Sequence, residues 1–211
     1  MADETRLATF LEALGSGAPT PGGGAASALA GALAASLAEM VAQLTVGRPK
    51  YSAVDERVRE LIARLRAARD RLVQLMADDE RAFQEVSAAY KLPKGSDDER
   101  AAREVAVQAA LLNAMRPPLA VMATVCDTLT LTEEIARIGN GMVASDAGCA
   151  AILGEAAVRS AALNVLANVV LLRDEQAAHD ARQQVASLEA RAADLQQRTM
   201  ATVRQRMGLN Q

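Results

Sequence analysis

Apolar residues keep to a period near 3.6 over more than thirty positions in the first half of this chain: Val58, Leu61, Leu65, Leu72, Leu75, Met76, Phe83, Val86 and Tyr90. That period belongs to a helix and excludes a strand, whose side chains alternate every second residue. The spacing predicts one unusually long helix from about Ala53 to Tyr90, closed by Leu92-Pro93-Lys94-Gly95. Its stripe needs other helices to cover it.

The rest of the sequence supplies them. Leu7, Phe10, Leu11 and Leu14 recur at helical spacing and Gly15 ends that run. A Gly- and Pro-rich loop, 16–24, leads into an Ala-rich helix from about Gly24 to Val46. Its Ala26, Ala30, Gly31, Ala34 and Ala35 would let neighbouring helices come close. Gly47-Arg48-Pro49-Lys50-Tyr51 breaks the pattern before the long helix. Ser96-Asp97-Asp98-Glu99 reads as a capping box that starts a helix to about Met115. Pro117-Pro118 separates it from another reaching Ile138, and Asn140-Gly141 marks a turn. Ser145-Asp146 opens a helix to Leu172, and a last helix runs from about Asp174 to Met207. Val185, Leu188, Ala192, Leu195, Val203 and Met207 share one face of it. Six or seven helices with no strand make an all-α, single-domain helical bundle over 1–211. Composition agrees: 51 % of the residues are hydrophobic but only 2 % aromatic, so alanine and leucine, both good helix formers, carry the apolar content.

Charge and composition narrow the function classes. The net charge is −3, with no basic run, so no nucleic-acid partner is expected. One histidine, His179, and two isolated cysteines offer no metal-ligand cluster, so no metal is expected. Cys126 and Cys149 lie in apolar runs and read as buried, reduced thiols of a cytoplasmic protein. The polar start Met1-Ala2-Asp3-Glu4 is not a secretory signal. Ala25 to Ala38 is the one stretch apolar enough to suggest a membrane, and it is shorter than the ~20 residues of a span. A buried core helix is the reading, with no membrane partner.

Four places break the rules of helix design, and chemistry is sought there first. Pro21, Gly22, Gly23 and Gly24 lead into a helix whose first turn holds Ser27. Glycines expose backbone N–H groups at a helix start, which suits an anionic ligand, although a plain connector has the same composition. Asp79 sits in line with Leu72, Leu75, Met76, Phe83 and Val86. A carboxylate on an apolar stripe is paired, protonated or lining a cleft. The alternatives are a structural ion pair, for example with Arg69, and a proton-transfer group whose pKa burial raises. Arg48, Lys50 and Tyr51 in one break and Lys94 in another could hold carboxylates, or be solvated charge. Asn140, Ser145, Asp146, Asn164 and Asn168 form the fourth set; Asn164 and Asn168 share a helix face amid Val165, Leu166, Val169 and Val170. Those two amides could serve helix packing or grip a polar heterocycle.

The same motifs, in order, resemble the cyclodeaminase/cyclohydrolase family. Pro19-Thr20-Pro21-Gly22-Gly23-Gly24, then Leu44-Thr45-Val46-Gly47 with Lys50-Tyr51, look like its start. Asp79-Glu80-Arg81-Ala82-Phe83 is similar to its Asp-x-x-Ala-Phe motif, and Ala89-Tyr90-Lys91-Leu92-Pro93-Lys94 to the segment that follows. Gly139-Asn140, Ser145-Asp146-Ala147-Gly148 and Asn164-Val165 with Asn168 complete the series, from about Thr5 to Arg206. Arg159-Ser160-Ala161-Ala162-Leu163-Asn164-Val165 looks most like the stand-alone methenyltetrahydrofolate cyclohydrolases of that family.

The resemblance implies an all-helical homodimer that hydrolyses a one-carbon unit on tetrahydrofolate, with Asp79 as the catalytic residue and no cofactor beyond the reduced folate. It implies substrate-binding roles for Pro21, Gly22, Gly23, Gly24, Ser27, Lys50, Tyr51, Phe83, Lys94, Asn140, Ser145, Asp146, Asn164 and Asn168. Two alternatives stand beside it: a formiminotetrahydrofolate cyclodeaminase, and a non-catalytic interaction protein that uses the C-terminal helix. Two positions depart from the family pattern. Pro49 stands where a basic residue is common, and Gly141-Met142 replaces a polar stretch that usually holds another Asn. The first implies a weaker patch for the folate tail, the second a shifted substrate preference.

Overall fold

A computed structural model describes residues 2–209, with side chains from Leu7 onward. Among the described residues there are seven α-helices, two short 3-10 helices and no strand. The α-helices are α1 (Ala2–Leu14), α2 (Gly23–Gln43), α3 (Asp55–Tyr90), α4 (Asp97–Ala114), α5 (Arg116–Ile138), α6 (Ala144–Val169) and α7 (Glu175–Arg206). The 3-10 turns Pro49–Val54 and Gly141–Val143 occupy breaks that the sequence marks only as loops.

Small side chains decide where α2 and α6 lie. The two helices pack on each other, with α3 against α2 and α5 and α7 against α6. A Cβ on Gly31 of α2 would come within 2.6 Å of Val125, and one on Gly154 of α6 within 2.8 Å of Leu129. Val125 and Leu129 are four apart on α5, so one face of α5 fills glycine notches in both helices. The core around Leu72, Leu75, Met122, Val125 and Leu129 forms at this junction.

The helix ends follow their local signals. Ser96 caps α4 in a capping box: the Glu99 N–H donates to Ser96 Oγ at 3.2 Å and the Ser96 N–H to Glu99 Oε2 at 3.1 Å. Pro117 and Pro118 sit buried in the first turn of α5, where an N–H has no helical partner to lose. Arg206 of α7 donates to the carbonyls of Ala136 (2.6 Å), Arg137 (2.9 Å) and Gly139 (2.6 Å), which closes the end of α5.

Three sequence expectations need correcting. The stripe of α3 is buried from Val58 to Leu75, but Phe83 and Tyr90 are each 43 % exposed. Near its C-terminal end α3 packs on α4 through Val86 and Ala89, while Phe83 borders the hollows beside Pro19 and Thr20. Cys149 is exposed, unlike the buried Cys126, because it stands on the outward face of α6. And three stretches, not one, are long and apolar enough to cross a membrane by length and composition: Gly23–Gln43, Asp97–Ile138 and Gly141–Val169. Helices covered on several sides by neighbours become apolar almost all round, which a sequence window does not tell from a span.

Candidate functional site

The site is built where the glycine loop meets α3. Gly22 is the N-cap of α2, in an extended conformation, and α2 starts at Gly23. A Cβ at Gly24 would lie 2.2 Å from Asp79 Oδ1, so only glycine lets the carboxylate rest against the backbone here. The Ala25 N–H, in the first turn of α2, donates to that carboxylate. Asp79 therefore sits at the positive end of a helix.

Burial nevertheless wins. The loss of water around Asp79 raises its pKa above the ordinary 3.8, the neighbouring Glu80 carboxylate adds to the rise, and the Ala25 hydrogen bond only partly opposes it. The structural-pair alternative for Asp79 fails on geometry. Arg69 donates to Glu39 Oε2 at 2.9 Å and to Asp70, and Arg66 donates to Glu39 Oε1 at 2.6 Å. Among the described residues Asp79 has no ion pair. The buried carboxylate that arginines do neutralise is Glu39 of α2, which sequence periodicity did not single out.

Asp79 opens into a cavity of about 370 Å³. Gly22, Gly23, Gly24, Phe83, Asn164 and Asn168 line it, joined by Pro19, Thr20, Ala82 and Val86. Leu111 and Ala114 of α4, Ala167 and Leu171 close the remaining side. Asn164 Nδ2 donates to the Ser160 carbonyl and Asn168 Nδ2 to the Asn164 carbonyl, both at 2.9 Å. Each amide is thereby fixed by its own helix, with its oxygen left to meet a ligand. Ser27 lies behind the cavity wall: its hydroxyl donates to the Gly23 carbonyl at 2.6 Å and meets the Ser160 hydroxyl at 2.8 Å. That contact ties α6 to the first turn of α2. Pro21 belongs to the loop above the cavity but does not line it.

The other candidates lie elsewhere in the fold. Asp146 and Asn164 are on the same helix, roughly 27 Å apart along its axis. Ser145 and Asp146 start α6 at the far end of the bundle, beside the Gly141–Val143 turn. Asn140 is buried there: its N–H donates to Thr45 Oγ1 (2.8 Å), its Nδ2 to the Leu44 carbonyl (3.1 Å), and its Oδ1 accepts from the Met142 N–H (3.1 Å). The Tyr51 hydroxyl reaches the same Oδ1 at 3.4 Å, and Lys50 stands 5.5 Å from the Tyr51 ring centre. Lys94 lines a separate basic cleft with Arg100, Arg103 and Arg173. Sequence reasoning missed Leu111 and Ala114 of α4 and Leu171 in the turn after α6, apolar positions that carry no signal of a cavity.

Comparison with known proteins bears on the family and the fold. A family model described as formiminotransferase-cyclodeaminase matches residues 6–187. The chain is similar to the methenyltetrahydrofolate cyclohydrolase of Methylorubrum extorquens, 40 % identical over 207 residues that span 98 % of this chain and 100 % of that protein. It is also similar to the formimidoyltransferase-cyclodeaminase of Rattus norvegicus, 36 % identical over 88 % of this chain, which corresponds to 34 % of that longer protein. The crystal structure of formiminotetrahydrofolate cyclodeaminase from Thermotoga maritima is similar throughout, with a TM-score of 0.86 and 30 % identity over 97 % of this chain and 98 % of that one.

Proposed function

The chain belongs to the formiminotransferase-cyclodeaminase family, and on that premise we propose that it hydrolyses 5,10-methenyltetrahydrofolate to 10-formyltetrahydrofolate, with Asp79 moving the proton. The observation that carries the proposal is the Asp79 carboxylate, without an ion pair among the described residues, at the wall of a cavity of about 370 Å³. The 40 % identity to a cyclohydrolase, against 30 % to the Thermotoga maritima cyclodeaminase, favours this reaction over its family neighbour.

The methenyl carbon bridges N5 and N10 of the folate as a cation, so the substrate brings its own electrophile. Water adds to that carbon and gives up a proton to the Asp79 carboxylate. The bond from carbon to N5 then breaks, the protonated Asp79 returns its proton to N5, and the hydroxyl proton leaves as the formyl group forms on N10. A carboxyl whose pKa lies above the ordinary range can take both parts in turn. Asn164 and Asn168 would meet polar edges of the pterin, and the backbone at Gly22–Gly24 allows its close approach. No cofactor beyond the folate enters this scheme. A cytoplasmic location is part of the same proposal.

Formiminotetrahydrofolate cyclodeamination is the second reading, favoured by the similarity to the Thermotoga maritima enzyme. There N10 closes on the formimino carbon and ammonia leaves, and the same carboxyl could serve.

A homodimer is proposed with it. The outward face of α2 carries no charged side chain, since its single acid, Glu39, is buried. Leu33 on α2 is 50 % exposed, and Ile152 and Leu163 on α6 are 49 % and 69 % exposed. An apolar face of this kind, broken on α6 by Arg159, supports a second copy as its cover. If two α6 helices met antiparallel about a two-fold near Ile152, one protomer's Ser145–Asp146 end would approach its partner's Asn164 end. That arrangement would reunite candidates that one protomer holds apart.

Loss of methenyltetrahydrofolate absorbance, followed with wild type and Asp79→Asn against the spontaneous rate, tests the reaction. Wild type should accelerate the decay and Asp79→Asn should lose ~10²–10⁴-fold of that rate. Near-full turnover by Asp79→Asn would sink the assignment. No acceleration by wild type, with ammonia release from formiminotetrahydrofolate instead, would select the second reading.

A further inference from the structure

Beyond the cavity that holds Asp79, a second hollow of about 360 Å³ continues along α3. The two share Pro19, Thr20 and Phe83, so they are successive chambers of one groove rather than separate sites. Phe83 stands at the waist between them, its ring 43 % exposed opposite the Pro19-Thr20 loop. An exposed aromatic face bounded by a proline-containing loop is a place for a flat ring to lie. The outer chamber is completed by Gln84, Ser87 and Ala88 of α3 and by Lys91, the residue that caps its C-terminus. It holds no acidic side chain, and Lys91 makes no ion pair among the described residues.

From this geometry we infer that Lys91 is the residue that selects the acidic tail of the substrate. The groove would seat the pterin beside Asp79, the aminobenzoyl ring against Phe83, and a glutamate carboxylate on the Lys91 ammonium, with Gln84 and Ser87 beside it. The inference rests on the folate reading given above and adds to it the group that recognises the glutamate. Lys91, at the C-cap of α3, follows Asp79 by twelve residues, about 18 Å along the axis. Helical side chains lean toward the N-terminus, so the Lys91 chain is carried back over the outer chamber. Extended aminobenzoyl-glutamate spans what remains.

The competing cations are less well placed. Lys50 lies past the other end of α2. Lys94 opens on a cleft that shares no lining residue with either chamber, and the arginines there are already engaged. Arg103 donates to the Tyr90 carbonyl at 3.0 Å, Arg173 pairs with Glu104 at 2.8 Å, and Arg100 pairs with Asp97.

The test compares two substrates that share the reactive carbon: 5,10-methenyltetrahydrofolate, and the corresponding tetrahydropteroate, which lacks glutamate. Lys91→Ala should raise KM for the first about tenfold, leave kcat within about twofold, and leave the second unaffected. Lys91→Glu should be worse on the first substrate, and Lys91→Arg should keep most of the wild-type KM. The wild-type KM for the folate should climb with salt, and that of Lys91→Ala much less, since an exposed charge is screened. An equal rise of KM on both substrates would show a structural role and overturn the inference. So would unchanged KM in Lys91→Ala and Lys91→Glu, or a glutamate-selective loss in Lys94→Ala alone. Should wild type catalyse neither family reaction, the function fails separately. The tail site is then read by equilibrium binding of tetrahydrofolate against tetrahydropteroate. Wild type must prefer the former and Lys91→Glu must lose that preference; without both results the inference falls.

Discussion

In the proposed reaction Asp79 has to be ionised to take a proton, and it sits where ionisation is costly. Its pKa is raised chiefly by burial and further by Glu80, with the Ala25 N–H pulling the other way. The acid limb of kcat/KM should therefore lie above the ordinary carboxylate value of 3.8, and activity should fall as the pH drops through it. Stability should run in the opposite sense. A carboxyl with a raised folded pKa stabilises the fold fully below its unfolded pKa, and that contribution is lost as the pH rises through the folded value. Asp79→Asn, which can still accept from Ala25, should thus melt higher than wild type near pH 7 while losing turnover. The gain should vanish below about pH 3.8, where the aspartic acid is neutral in both states. Thermal melts of both proteins across pH check this; equal melting temperatures at pH 7 would remove the desolvation argument. Gly24 is the companion position. Gly24→Ala places a methyl 2.2 Å from the present Oδ1, so the carboxylate must swing away. A displacement of that size should lower kcat on the order of 10²-fold while the protein stays folded by circular dichroism.

At the scale of elements, the glycines in α2 and α6 matter more than helix propensity would suggest. Gly31 costs α2 about 1 kcal/mol against alanine as an isolated helix residue, yet it is the notch that admits Val125 of α5. Gly31→Val should destabilise the protein by about 1–3 kcal/mol in urea unfolding, through overpacking against Val125 and Leu72. Val125→Ala in the same chain should recover part of that loss, because it removes the methyl groups the new side chain meets. If the double variant is no better than the single one, the notch is not what sets the spacing of α2 and α5. Element positions were largely legible beforehand, from the period of α3, the Ser96 capping box and the Pro117-Pro118 break. The 3-10 turns were not, since Pro49–Val54 and Gly141–Val143 carry the same residues as irregular loops.

The whole molecule sorts the candidate residues by the end of the bundle they occupy. Gly22–Gly24, Asp79, Phe83, Asn164 and Asn168 gather at one end, while Lys50, Tyr51, Asn140, Ser145 and Asp146 lie at the other. The proposed two-fold contact across α2 and α6 links the two sets only between protomers. Ile152→Arg puts a charge on that face without touching the cavity, and burying it unpaired in an interface would be costly. It should halve the mass seen in sedimentation and cut kcat/KM by about tenfold or more if the far set completes the site. A monomeric Ile152→Arg protein with full activity would assign Asn140 and its neighbours to folding alone. An unchanged dimer would move the interface elsewhere.

What the sequence determined by itself was the set of helices and the oddity of one carboxylate, because both are written in local periodicity. A 3.6-residue stripe needs no partner to be recognised, and Asp79 stands out against it wherever the helix ends up. The tertiary structure left that carboxylate without an ion pair among the described residues. Arg69 turned to Glu39 instead, and the Asp79 carboxylate rests against the backbone of Gly24 and Ala25, separated from it in sequence by almost all of α2 and much of α3. Cavity walls from α4, the exposed side of Cys149 and the distance between Asp146 and Asn164 were likewise settled by packing. They depend on which faces meet across the bundle, and a one-dimensional pattern specifies that a face is apolar without specifying what covers it.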